Sequence, residues 1–156
     1  MTQAIPPGHE GLIAHLVVDD AAGAIEFYKK AFGAEEIMRC PTPDGKKIMH
    51  AELMVGGRPF YLADDFPEYC GGQSRAPKAL GASTFNVHQF VDDCDAAIKR
   101  AAGAGATVTM PPADMFWGDR YGTVDDPYGH RWSFATHISD PTPEEMAAAA
   151  EAMFAS

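Results

Sequence analysis

The residues best equipped for chemistry fall into two groups. His15, His50 and His88 carry imidazoles able to take a proton or ligate a metal, and "WGDRYG" at 117–122 sets an indole, a guanidinium and a phenol in one short stretch. An indole offers a flat face for stacking, and a guanidinium grips a carboxylate or phosphonate through two parallel hydrogen bonds. Trp117, Arg120 and Tyr121 are therefore the most ligand-like cluster in the chain, with Gly118 and Gly122 letting the loop turn. The competing reading gives Arg120 a salt bridge to Asp119, Asp125 or Asp126 and gives Trp117 a place in the core. Nucleophilic catalysis finds no support: no Gly-x-Ser-x-Gly occurs, and Cys40, Cys70 and Cys94 have no obvious histidine partner. The three scattered cysteines, without a CxxC, also argue against a disulfide framework or structural zinc, and are expected to serve packing.

The elements that must position these residues are written twice. "AHLVVDDAAGAIEFYKKAFGAEE" is matched later by "VHQFVDDCDAAIKRAAGAGATV", so that His15 falls on His88 and Asp20 on Asp93. Downstream, "GRPFYLAD" from Gly57 lies over "GHRWSFAT" from Gly129, with Tyr61 on Ser133. Each copy opens with an apolar stretch (12–18; 84–91), and Asp-Asp then caps a helix. The helices are expected at 21–32 and 94–104, with Gly33 and Gly105 as left-handed terminators and "GAGA" at 103–106 as a helix end. Three strands follow in each copy, near 35–40, 47–55 and 59–63, then 107–110, 116–124 and 131–137. "PDG" at 43–45, the paired glycines 56 and 57, and "DPYG" at 126–129 mark the turns. Alternation assigns Trp132 and Phe134 to packing under a helix and puts His50, Glu52 and Met54 on one strand face. His50 either reaches the cleft or pairs with Glu52.

The chain is expected to divide into a first βαβββ module (9–65), a linker (66–82), a second module (83–138) and a C-terminal helix (139–156). That last helix opens with a Thr-x-x-Glu capping box at Thr142 and carries a small apolar stripe, which suits either docking on its own domain or a dimer contact. A formal net charge of −10 repels phosphate backbones, so nucleic acid is not an expected partner. No apolar run is long enough to span a membrane, and "MTQAIPPGHEG" lacks a signal-peptide layout, which points to the cytoplasm.

Two tandem βαβββ modules, with "VDDAAGAIEFYKKAFGA" in the first and "DPYGHRWSF" closing the second, resemble the vicinal oxygen chelate superfamily. That group comprises glyoxalase I, extradiol dioxygenases, fosfomycin-resistance enzymes and bleomycin-binding proteins. "HAEL", "FWGDRYGTVDDPYGHRWSFATH" and the Pro-Glu-Glu-Met tail look most like its PhnB-like branch. The resemblance implies an α+β fold in which the modules curl into a half-open sheet with a ligand cleft. It also implies a test, because the metal-dependent members place a histidine on the first strand of each module and a carboxylate on the last.

Those four positions correspond here to Ile13, Tyr61, Asn86 and Ser133, none of them a good ligand for a divalent ion. His15 and His88 lie two residues beyond the vacant histidine positions and by alternation face the same cleft, where water or a carboxylate such as Glu52 would complete a displaced site. Without a third evident ligand, two hydrogen-bonded histidines are the simpler outcome.

The reading is a homodimer that binds a small organic molecule without metal or other cofactor, in a cleft lined by His15, His50, Tyr61, Asn86, His88, Trp117, Arg120, Tyr121 and Ser133. The acidic balance leaves room for a cationic ligand such as a bleomycin-type antibiotic. The alternative is a divalent-metal-dependent lyase, isomerase or dioxygenase of the glyoxalase and extradiol type that uses His15 and His88; in a metal-free reaction either would be the base.

Overall fold

The computed structural model describes residues 2–155. In the first module β1 (His15–Val18), α1 (Ala21–Phe32), β2 (Glu35–Pro41), β3 (Ile48–Val55) and β4 (Arg58–Asp64) build a sheet ordered β1-β4-β3-β2. A 3₁₀ turn (Pro67–Tyr69) and the short α2 (Pro77–Leu80) occupy the segment read as a bare linker. The second module, β5 (Asn86–Phe90), α3 (Cys94–Ala104), β6 (Thr107–Asp114), β7 (Asp119–Asp125) and β8 (Arg131–His137), repeats the order as β5-β8-β7-β6, and α4 (Pro143–Phe154) ends the chain. In each sheet the first and last strands of the module are parallel and the remaining pairs antiparallel. The result is the α+β arrangement of tandem βαβββ modules that the repeat predicts.

The repeat is kept down to local devices. Asp20 and Asp93 accept from the backbone N–H groups of Gly23 and Ala96, capping α1 and α3, and Gly33 and Gly105 end those helices in the left-handed conformation. A second acceptor meets the first N–H of each helix: Asp64 takes Ala21 N at 2.8 Å, and Thr136 takes Cys94 N at 2.9 Å. A register shift lies between Glu36 and Met38 and again between Val108 and Met110, so the same strand of each module carries the same bulge.

One face of each sheet is covered. Leu16, Leu53 and Leu62 of the first sheet and Trp132, Phe134 and Val124 of the second are buried in one shared core. Trp132 and Phe134 do pack under a helix, and it is the helix of the other module: Phe32 of α1 lies 4.3 Å from the Trp132 ring and 5.5 Å from Phe134, centroid to centroid. The two modules of one chain therefore pack together.

A polar hub reinforces the seam. Asp126, 5% exposed, accepts from Tyr28 Oη at 2.7 Å, Trp132 Nε1 at 3.0 Å, and the backbone N–H groups of Tyr128 and His130 at 2.9 Å each. Burial, with the Asp126 carboxylate alongside, drives the Tyr28 phenol far above its ordinary pKa. His130 Nε2 donates to Val17 O of the first module at 2.9 Å.

Several boundaries differ from expectation. Regular pairing starts at His15 and Asn86 rather than at 12 and 84, although Tyr61 N still bonds Ala14 O. β6 runs on to Asp114, and β7 starts only at Asp119, because residues 115–118 form a turn closed by Gly118 N to Met115 O. α4 has the capping box read from Thr142 and Glu145, yet none of its residues is buried and Phe154 is 81% exposed. Cys94 is buried as packing requires; Cys70 is exposed.

Candidate functional site

The uncovered faces hold the chemistry. Strand register places one row of side chains across each: His15–Tyr61–Glu52–Met38 in the first sheet and His88–Ser133–Thr123–Met110 in the second. Paired residues point to the same side, so each row is a line of neighbours. The expected superposition of His15 on His88 and Tyr61 on Ser133 is thus realised.

The first row is a nest of rings around Tyr61. His50 lies 4.8 Å and His15 6.0 Å from the Tyr61 centroid, both edge-on, and the two imidazoles are 5.9 Å apart. Desolvation, with His50 adding to it, holds His15 below the ordinary histidine range, which leaves it a neutral base at neutral pH. His50 does not pair with Glu52, because Glu52 is taken by a residue that the repeat does not contain. His9 reaches in from the N-terminal segment: Nε2 donates to Glu52 Oε1 at 2.8 Å, and Nδ1 donates to Pro7 O at 3.1 Å. A carbonyl and a carboxylate can only accept, so the geometry fits the imidazolium form of His9, in which both ring nitrogens donate. Its pKa is raised, by the Pro7 carbonyl first and then by Glu52. Sequence reasoning missed His9 because its only signal is a contact across 43 positions.

The second row is flatter. Ser133, Ala135 and Thr123 form a floor of small buried residues, and the His88, Phe90 and Tyr121 rings stand around it. His88 Nδ1 and Ser133 Oγ are hydrogen-bonded at 2.8 Å, which leaves Nε2 as the free nitrogen. Thr123 Oγ1 meets Thr109 Oγ1 at 2.6 Å. Tyr121 stacks loosely with His88 at 6.1 Å and meets Trp117 edge-on at 5.8 Å. Trp117 is 38% exposed, so it is not core, and its Nε1 donates to Asp119 at 3.1 Å. Asp119 also accepts from His137, whose other nitrogen donates to Asp140 at 2.9 Å. Those two carboxylates raise the His137 pKa. Asn86 is exposed and shares the His88 face at the start of β5.

Arg120 does not line the cleft as expected. It alternates with Tyr121, so it faces the helix side, where it pairs with Asp95 of α3 and with Asp114 at 2.8 Å. Both bridges raise its pKa, and the guanidinium is committed to partners other than the three aspartates expected. His15 and His88 are also separated. They lie on different sheets, and among the described residues no hydrogen bond or ring contact joins one cluster to the other.

The donor set does not fit the four-ligand divalent centre. Ile13 has no donor atom, the Ser133 hydroxyl is engaged by His88, and among the described residues no three His, Cys, Asp or Glu side chains are grouped to hold an ion. Among the described residues no helix is long and apolar enough to cross a membrane.

Comparison with known proteins agrees with this architecture. The chain is 49% identical over 138 residues to an uncharacterised protein of Mycobacterium bovis, covering 88% of this chain and 90% of that one. An uncharacterised Arabidopsis thaliana protein is 33% identical over 131 residues, with 78% and 76% covered. Among solved structures, an Arabidopsis thaliana gene product superposes with a TM-score of 0.64 at 30% identity over 80% of this chain and 97% of that one. TioX from Micromonospora sp. ML1 gives 0.62 at 26% identity over 83% and 99%. The family model of the glyoxalase, bleomycin resistance protein and dioxygenase group matches residues 12–134. The chain belongs to the glyoxalase/bleomycin resistance protein/dioxygenase superfamily.

Proposed function

We propose that this protein is a cytoplasmic homodimer of the PhnB-like branch that binds a small organic molecule on its uncovered sheet faces, without the divalent metal of the superfamily's catalytic members. The observation that carries the reading is the pair of rows. His15, His50 and Tyr61 in one, and His88, Tyr121 and Trp117 beside the other, present rings and hydrogen-bonding nitrogens, the first row's carboxylate, Glu52, is paired with His9, and among the described residues no three His, Cys, Asp or Glu side chains are grouped to hold an ion. Such surfaces suit a planar ligand carrying a few polar groups. A second copy is the expected cover for Met38 and Met110, large apolar residues exposed on these faces.

Tryptophan fluorescence tests the binding. Trp117 is half-exposed and Trp132 fully buried, so a ligand on the second face perturbs the former alone. A metabolite screen should yield a saturable change that disappears in Trp117→Phe and weakens in Tyr121→Ala. A change that survives Trp117→Phe would assign the signal elsewhere and count against the reading.

A further inference from the structure

We infer that the groove between the two modules is a separate binding site for a small organic monocarboxylate, with Arg58 as its anchor. This site adjoins the second row and shares His88 and Phe90 with it, but its anchor, Arg58, belongs to neither ring cluster and the inference does not rest on the binding proposed for them.

A cavity of about 390 Å³ lies where the β3–β4 turn of the first module meets β5 of the second. Pro59, Val87 and Phe90 give it apolar walls, Leu12 stands at its rim, and Arg58 and His88 supply polar groups from opposite modules. A volume of that order suits a ligand of roughly ten heavy atoms. The seam is tight beside it: Gly56, in the left-handed conformation with φ 55°, has the Gln89 side-chain amide where a Cβ would stand. The short turn sets Arg58, the first residue of β4, at the groove's edge.

Charge selects the ligand. Arg120 and Arg131 are each held by carboxylates, whereas Arg58, paired with Val55 through the strand ladder, has a guanidinium with no ion pair or hydrogen bond among the described residues. Glu10 lines the recess that continues from this groove and forms no ion pair with Arg58. An unpaired guanidinium beside apolar walls matches one carboxylate held by two parallel hydrogen bonds, with the ligand's hydrocarbon body against Val87 and Phe90. His88 contributes from the other side. Its Nδ1 is engaged by Ser133, so Nε2 is the nitrogen open to a ligand oxygen. A polyanion fits less well, since there is one free cation here on a chain of net charge −10.

Phenylacetate tests the inference, with phenylacetamide as its neutral counterpart and inorganic phosphate as a competitor, each titrated into the uniformly ¹⁵N-labelled full chain. The expected result is a saturable movement of the Gly56, Val87 and Gln89 amides with the acid, absent with the amide and not displaced by phosphate. Arg58→Gln should weaken it about tenfold or more, as the loss of a charge-assisted pair implies, while the surface control Arg75→Gln leaves it unchanged. Arg58 is exposed, so its substitution leaves the fold intact, and a matching spectrum verifies this. Equal binding of acid and amide, displacement by phosphate, an unaltered affinity in Arg58→Gln, shifts confined to other residues, or no saturable shift at all would each overturn the inference. Ligand binding at Trp117 is read by a different probe and stands or falls separately.

Discussion

The two open faces are the same framework carrying different chemistry. Across the first sheet the register runs His15–Tyr61–Glu52–Met38, and across the second His88–Ser133–Thr123–Met110. Histidine begins both rows, and methionine ends both after the same bulge. The middle residues differ, and they decide what the histidine does. Opposite Tyr61, His15 packs edge-on and among the described residues neither of its ring nitrogens is hydrogen-bonded; opposite Ser133, His88 is fixed by one bond at 2.8 Å. A duplicated backbone thus keeps its register while single side chains turn a crowded ring nest into a flat floor.

The turns between the last two strands of each module diverge as well. β3 and β4 are joined by Gly56 and Gly57 alone, whereas β7 and β8 are joined by residues 126–130, which supply the Asp126 hub and the His130 bond to Val17. The longer turn ties the modules together. The largest effect should therefore come from Asp126→Ala, which strips four donors of their acceptor and is expected to cost about 3 kcal/mol in urea unfolding, with Tyr28→Phe costing about 1 kcal/mol. If Asp126→Ala unfolds within a few tenths of a kcal/mol of the parent chain, the hub does not join the modules energetically.

Next in size is the contrast between the rows. Ser133→Ala removes the partner of His88 and should cost about 1 kcal/mol while loosening the imidazole, visible as altered ¹⁵N resonances of that ring. Tyr61→Phe removes a hydroxyl with no hydrogen bond among the described residues, so its cost should lie near zero. Equal costs for the two substitutions would erase the distinction drawn between the faces.

Much of this was legible in the sequence because it is local. Helix caps at Asp20 and Asp93, left-handed Gly33 and Gly105, and the capping box of Thr142 each follow from residues within one turn, and the repeat carried the order of elements along each module. What sequence missed depends on distant partners. His9 lies outside the repeat and meets Glu52 only because the chain folds back. Arg120 was grouped with Tyr121 by proximity, although adjacent strand residues face opposite sides; the bridge to Asp95 is set by where α3 begins.

The smallest effect expected concerns pH and separates the faces again. His9 has its folded pKa raised, so the stabilisation from its bond to Glu52 is fully present below the ordinary value of 6.5 and is lost as pH rises through the folded value. Glu52→Gln should remove that increment at low pH and change little above it, leaving the second module's His137 bridges intact. An NMR titration of the His9 ring reads this directly. A folded His9 pKa at or below the ordinary value would contradict the doubly donating geometry.

The central claim is that neither row offers a divalent ion an adequate set of donors. Elemental analysis of tag-free protein, purified without chelator, tests it most directly. The account predicts far less than one zinc, nickel, manganese or iron per chain, unaltered by His15→Ala or His88→Ala. About one ion per chain, lost in either variant, would contradict it and restore the metal-dependent chemistry of the superfamily.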